Sequence, residues 1–105
     1  METRKTSKFL VFLKEVNYEA PFTQEQIADL TQQHVDHIRG LDEKGILFLC
    51  GLLKGSEGGM FILNADTVEE AEDHVKSDPF IVNQCYKKYV IQEIQEANAG
   101  NNYLL

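Results

Sequence analysis

The stretch Ile46-Leu-Phe-Leu-Cys-Gly-Leu-Leu-Lys-Gly-Ser-Glu-Gly-Gly-Met-Phe-Ile-Leu63 decides the architecture. Ile46 to Cys50 is an unbroken apolar run, which reads as a buried strand. Leu52 to Gly59 holds three glycines and a serine and reads as a turn. Met60 to Leu63 is a second apolar run, so the two runs are expected to pair as a hairpin. Upstream, Thr23-Gln-Glu-Gln26 is a capping-box pattern, in which the Thr23 hydroxyl accepts from the Gln26 amide and the Gln26 side chain reaches back. A helix then runs to about Lys44, and Gly45 supplies a left-handed stop. Further upstream, Asn17 to Phe22 is a loop around Pro21, and Phe9 to Val16 is a first strand. Downstream, Asp66 and Thr67 offer caps for a helix over Val68 to Lys76. Its early acids Glu69, Glu70 and Glu72 suit the positive end of the helix dipole. Asp78-Pro79 ends that helix, Phe80 to Cys85 reads as a short helical turn, and Tyr86 to Ile94 is a fourth strand. The order is βαββαβ. The fold class is therefore α+β and ferredoxin-like: a four-stranded antiparallel sheet with two helices on one face.

That layout conflicts with the hydrophobic pattern unless a second chain is present. Helices cover one sheet face, so the other should alternate to polar residues. Yet Leu10 and Phe12 lie opposite Phe9, Val11 and Leu13 on the first strand, and the third strand is apolar on both sides. An apolar patch of that size is more than monomers usually expose. Each large side chain buried there stabilises association by roughly 1.5–3 kcal/mol gross. A homodimer with its sheets packed face to face is expected.

The chain has 105 residues, enough for one domain. Residues 1–7 read as a flexible leader, 8–95 as the folded domain, and 96–105 as a tail with a mobile polar middle and three apolar terminal residues free to dock. Seventeen acids against 10 bases give a net charge of −7, which repels phosphate backbones and anionic lipid, so neither nucleic acid nor membrane is an expected partner. No apolar run approaches the roughly 20 residues of a spanning helix. Phe9 to Leu13 is too short for a signal-peptide core, and the protein is expected to be cytoplasmic. Cys50 and Cys85 read as two buried thiols in a reducing compartment.

The residues able to carry chemistry are few. Ile27, Leu30, His34, Ile38 and Leu41, spaced three, four, four and three, share one face of the first helix, with Val35 alongside. His34 therefore sits in an aliphatic stripe. It is either a core imidazole with a hydrogen-bond partner or a base in a cleft between helix and sheet. His37 lies off the stripe and reads as solvated; His74 borders the apolar side of the second helix and reads as structural or exposed. Asp78 before Pro79 is a natural N-cap. Alternatively one oxygen caps while the other faces a cleft, where a carboxylate near His34 would fix its tautomer and raise its basicity. The two residues are 44 positions apart, so spacing cannot join them. The Gly55-Ser-Glu-Gly58-Gly59 stretch has no lysine and no following helix, so it is a hairpin loop and not a phosphate cradle. His34, Asp36, His37 and Asp78 lack a zinc-type spacing, and no metal is expected. Cys50 has no evident base beside it, and Tyr86 and Tyr89 read as packing. No dinucleotide or flavin motif occurs, so no organic cofactor is implied.

The run His34-Val-Asp-His-Ile-Arg-Gly-Leu-Asp-Glu-Lys-Gly45, followed by an apolar strand ending in Cys50-Gly51, resembles the YCII-related (YciI-like) proteins. Asn64-Ala-Asp-Thr-Val-Glu-Glu-Ala71 and Ser77-Asp-Pro-Phe-Ile81 carry the same resemblance, which spans about residues 8–95. It implies the dimeric ferredoxin-like α/β-barrel fold and a His–Asp dyad, which by motif position corresponds to His34 and Asp78. The function expected on that basis is a small enzyme of lyase or isomerase type, acting by general acid/base proton transfer on a small cyclic or aromatic metabolite. Hydrolysis through an activated water is compatible with the same dyad. The alternative is a non-catalytic dimer that binds a small molecule or serves as a stress or regulatory module.

Overall fold

The computed structural model describes residues 7–105. Residues 1–6 of the expected leader lie outside the described residues. Strand β1 (Ser7–Val16) leads into helix α1 (Gln24–Glu43). The hairpin β2 (Leu47–Leu52) and β3 (Gly59–Ala65) follows, then helix α2 (Val68–Lys76), a single helical turn α3 (Pro79–Val82) and strand β4 (Tyr86–Ile94). The four strands form one antiparallel sheet in the order β2-β3-β1-β4. This is the α+β ferredoxin-like arrangement that the alternation of apolar runs and caps implies. A 3-10 turn over Ala99–Leu104 follows, closed by reciprocal Asn98–Asn101 bonds, and it leaves Tyr103, Leu104 and Leu105 exposed. Among the described residues no helix is long and apolar enough to cross a membrane.

Local chemistry sets the ends of each helix. Thr23 Oγ1 accepts from the Gln26 amide at 3.1 Å, and Gln26 Oε1 accepts from the Thr23 amide at 2.8 Å, so the capping box is complete. At the other end Gly45 has φ +73°, and the Gly45 and Ile46 amides donate to the carbonyls of Asp42 and Leu41. That is the two-bond left-handed stop, which a β-carbon would strain. Thr67 caps α2 by accepting from the Glu70 amide at 3.1 Å.

The core lies between the sheet and its helices. Phe9, Val11 and Leu13 of β1 and Phe61, Leu63 and Ala65 of β3 point inward, against Leu30 and Leu41 of α1 and Ala71 and Val75 of α2. The opposite face carries Leu10 and Phe12 paired with Ile62 and Met60, all only half-buried in one chain.

Strand β2 departs from expectation. It stands at the sheet edge, and the register slips between Leu47 and Leu49, so Phe48 is an extra, bulged residue. Phe48 is 59% exposed and Leu49 52%, where a buried strand was expected. The cause is position: an edge strand has a neighbour on one side only, and the bulge turns Phe48 out beneath the Lys8 ammonium, 4.9 Å from its ring centroid. Cys50, expected to be buried, is exposed for the same reason, and Cys85 is half-buried.

Gly58 marks the tightest backbone approach. A β-carbon there would lie 2.8 Å from the Leu13 carbonyl oxygen, a backbone atom that cannot swing aside. Gly58→Ala is therefore expected to destabilise the fold by about 1–3 kcal/mol. Gly51→Ala, with nothing within 4 Å, should shift stability by less than about 0.5 kcal/mol. Thermal or urea melting of the two variants checks the contrast; equal melting would remove the steric argument.

Candidate active site

Helix α1 places His34 one turn beyond Leu30, on the face turned to the sheet. The Asp78-Pro79 step starts α3 at the same depth. Asp78 Oδ1 accepts from the Phe80 amide at 2.9 Å, so the carboxylate is the N-cap that its place before proline implies. Both Asp78 oxygens also lie 2.8 Å from His34 Nδ1. The two residues left apart by sequence spacing are thus in direct contact, and the capping and partnering readings of Asp78 hold together.

The pair is well held. Asp78 is 2% exposed. The His34 ring stacks on Phe80, with centroids 4.2 Å apart and planes 12° from parallel, and Phe61 tilts against it at 6.0 Å. A carboxylate that accepts the Phe80 amide also accepts from the ring, so Nδ1 carries a proton, and in the neutral ring the lone pair is on Nε2. Burial would make an unpaired Asp78 charge costly, and the imidazole edge with the Phe80 amide satisfies it.

His34, tied to Asp78 through Nδ1, also lines an apolar cavity of about 440 Å³. Thr31, Val35 and Ile38 of α1 form one wall, Cys50 to Leu52 and Phe61 of the sheet another, and Phe80 and Tyr86 close one end. A second cavity of about 310 Å³ lies beyond Phe80 and Tyr86, bounded by Val16, Tyr18, Phe22, Ile27 and Cys85. Ile27 and Val35 line these openings and remain exposed, while Leu30 and Leu41 of the same helix are buried against the sheet. Burial pushes the Tyr86 phenol up from its ordinary range, aided by the Asp78, Cys85 and Glu57 charges. Burial, then Asp78, does the same to the Cys85 thiol.

The other histidines do not join the site. His37, expected to be solvated, is half-buried, with Nε2 2.9 Å from the His74 carbonyl, because α2 packs beside this flank of α1. His74 Nε2 is buried with no hydrogen-bond partner among the described residues. Among those residues no three His, Cys, Asp or Glu side chains gather to hold a metal ion. Phe80 and Tyr86 were not read as site residues from sequence. Phe80 had a signal: it follows the Asp-Pro step directly, so a capping Asp78 carries it to the same ring.

Residues 9–95 match the model of the YCII-related domain family. A similar solved structure is 5-chloro-2-hydroxyhydroquinone dehydrochlorinase from Burkholderia phenoliruptrix AC1100, in complex with 2,5-dihydroxybenzoquinone. It aligns with a TM-score of 0.62 and 17% identity over 85% of this chain and 94% of that one, a likeness of fold. No curated protein matches the chain.

Proposed function

We propose that this chain, which belongs to the YCII-related family, is a small-molecule enzyme in which His34 and Asp78 act as a proton-transfer dyad. One observation carries the reading. A ring nitrogen is held by both oxygens of a buried carboxylate at 2.8 Å, and the same His34 lines a cavity of ligand size. A purely structural pair has no need of that opening.

In this reading His34 Nε2 removes a proton from a carbon next to a carbonyl in a small cyclic or aromatic compound. Asp78 stabilises the imidazolium that forms and keeps the ring oriented. If a leaving group departs from the adjacent carbon, taking the electron pair, the result is elimination; if the proton returns at another carbon, it is isomerisation. The cyclic ligand held by the structurally similar dehydrochlorinase supports a flat ring as the substrate class. We further propose a cytoplasmic homodimer, its second sheet face covered by a second copy.

The test is hydrogen exchange. Ring ketones and phenols in deuterated water should lose C–H signal in the proton spectrum with the wild type and not with His34→Gln. Equal exchange by both proteins would exclude the dyad. Binding of a ring compound with no exchange by either protein would favour a binding module.

A further inference from the structure

The cavity beside His34 is selective in charge as well as shape. Among the described residues that line it there is no lysine or arginine. Its polar side chains are Thr31, His34, Cys50 and Tyr86. The Thr31 hydroxyl is already committed, donating to the Ile27 carbonyl at 2.7 Å. The nearest buried formal charge is negative: Asp78 stands directly behind the His34 ring. A carboxylate or phosphate entering this space would lose its hydration with no cation to replace it, and would face the Asp78 charge across one ring. A neutral compound meets no such penalty. Its polar edge can pair with His34 and Tyr86, polar residues of the lining, while its faces meet apolar lining residues such as Phe61, Ile38 and Leu52.

We infer that the site takes uncharged, flat ring compounds bearing a carbonyl or hydroxyl edge, and rejects ring carboxylates and phosphates of the same size. The inference rests on the reading of this cavity as the substrate site.

A matched pair of probes tests it. 4-Hydroxybenzamide and 4-hydroxybenzoate are nearly isosteric and differ in charge at pH about 7. Titrated against the full-length protein by nuclear magnetic resonance, the amide is expected to bind at least about 10-fold more tightly. Val35, on the cavity wall and partly exposed, can carry a new cation. Val35→Lys is expected to reverse the order by drawing in the benzoate. Equal affinities, tighter benzoate binding by the wild type, or binding of neither probe would overturn the inference. The wild-type measurement stands even if Val35→Lys does not fold. An amide preference without hydrogen exchange would sink the catalytic reading and leave this one. Exchange on anionic rings would do the reverse.

Discussion

Replacing His34 with glutamine is expected to lower turnover by about 10²- to 10⁴-fold, the usual contribution of a positioned acid–base group, while the protein stays folded. Glutamine can still donate an amide N–H toward Asp78, so the buried carboxylate keeps a partner, but it offers no basic nitrogen to the cavity. His34→Ala differs. It leaves Asp78, 2% exposed, facing an empty space. The expected cost is about 3 kcal/mol, the lower end of the range for breaking a buried pair, because the His34 side chain is 18% exposed and water can partly take its place. Asp78→Asn isolates the electronic part. Its carbonyl oxygen can still accept the Phe80 amide, while its NH₂ donates to Nδ1 and forces the ring proton onto Nε2. Exchange should then fall by at least about 100-fold with little change in urea midpoint. Hydrogen-exchange rates and urea melts on the three variants together check the assignment. Full activity in His34→Gln would end it.

The second large effect concerns assembly. Ile62 lies on the sheet face away from the helices, paired with Leu10 on one side and Leu49 on the other. Around it are Phe12, Met60 and Val90, with Lys8, Asn64 and Gln92 among the more polar positions of the same face. An apolar centre with polar residues at its margins is what a sheet-to-sheet contact requires. Ile62→Lys places a charge there in both copies and removes roughly 1.5–3 kcal/mol of apolar burial from each. The dimer should weaken by about 1,000-fold or more. Sedimentation velocity at micromolar concentration should show a dimer for the wild type and a monomer for the variant. A wild type that stays monomeric at every concentration removes the proposal.

Much of the fold was legible because its boundaries are written in local chemistry. Thr23 with Gln26, Gly45, Thr67 and the Asp78-Pro79 step each act within four residues, and each behaves as its type requires. What escaped is non-local. The apolar character of β2 suggested a buried strand, but burial depends on which strands flank it, and β2 has β3 alone. The bulge at Phe48 has no marker, since no glycine stands there. His37 looks solvated from the pattern of its own helix, while its partner is a carbonyl of α2. At the site, the stripe on α1 located His34 and the Asp-Pro step located Asp78. Their meeting across the fold could come only from the family resemblance or from the structure. The stack of Phe80 on His34 needed the structure alone.

The double duty of Asp78 limits how such a molecule can diversify. The same oxygen, Oδ1, accepts from the Phe80 amide and lies 2.8 Å from His34 Nδ1, so a substitution at that corner alters the backbone turn and the partner of the imidazole at once. Val35, Cys50 and Leu52 also line the cavity and are exposed to solvent. If the proposed dyad acts, new ring preferences arise there by ordinary drift while His34 and Asp78 stay the same.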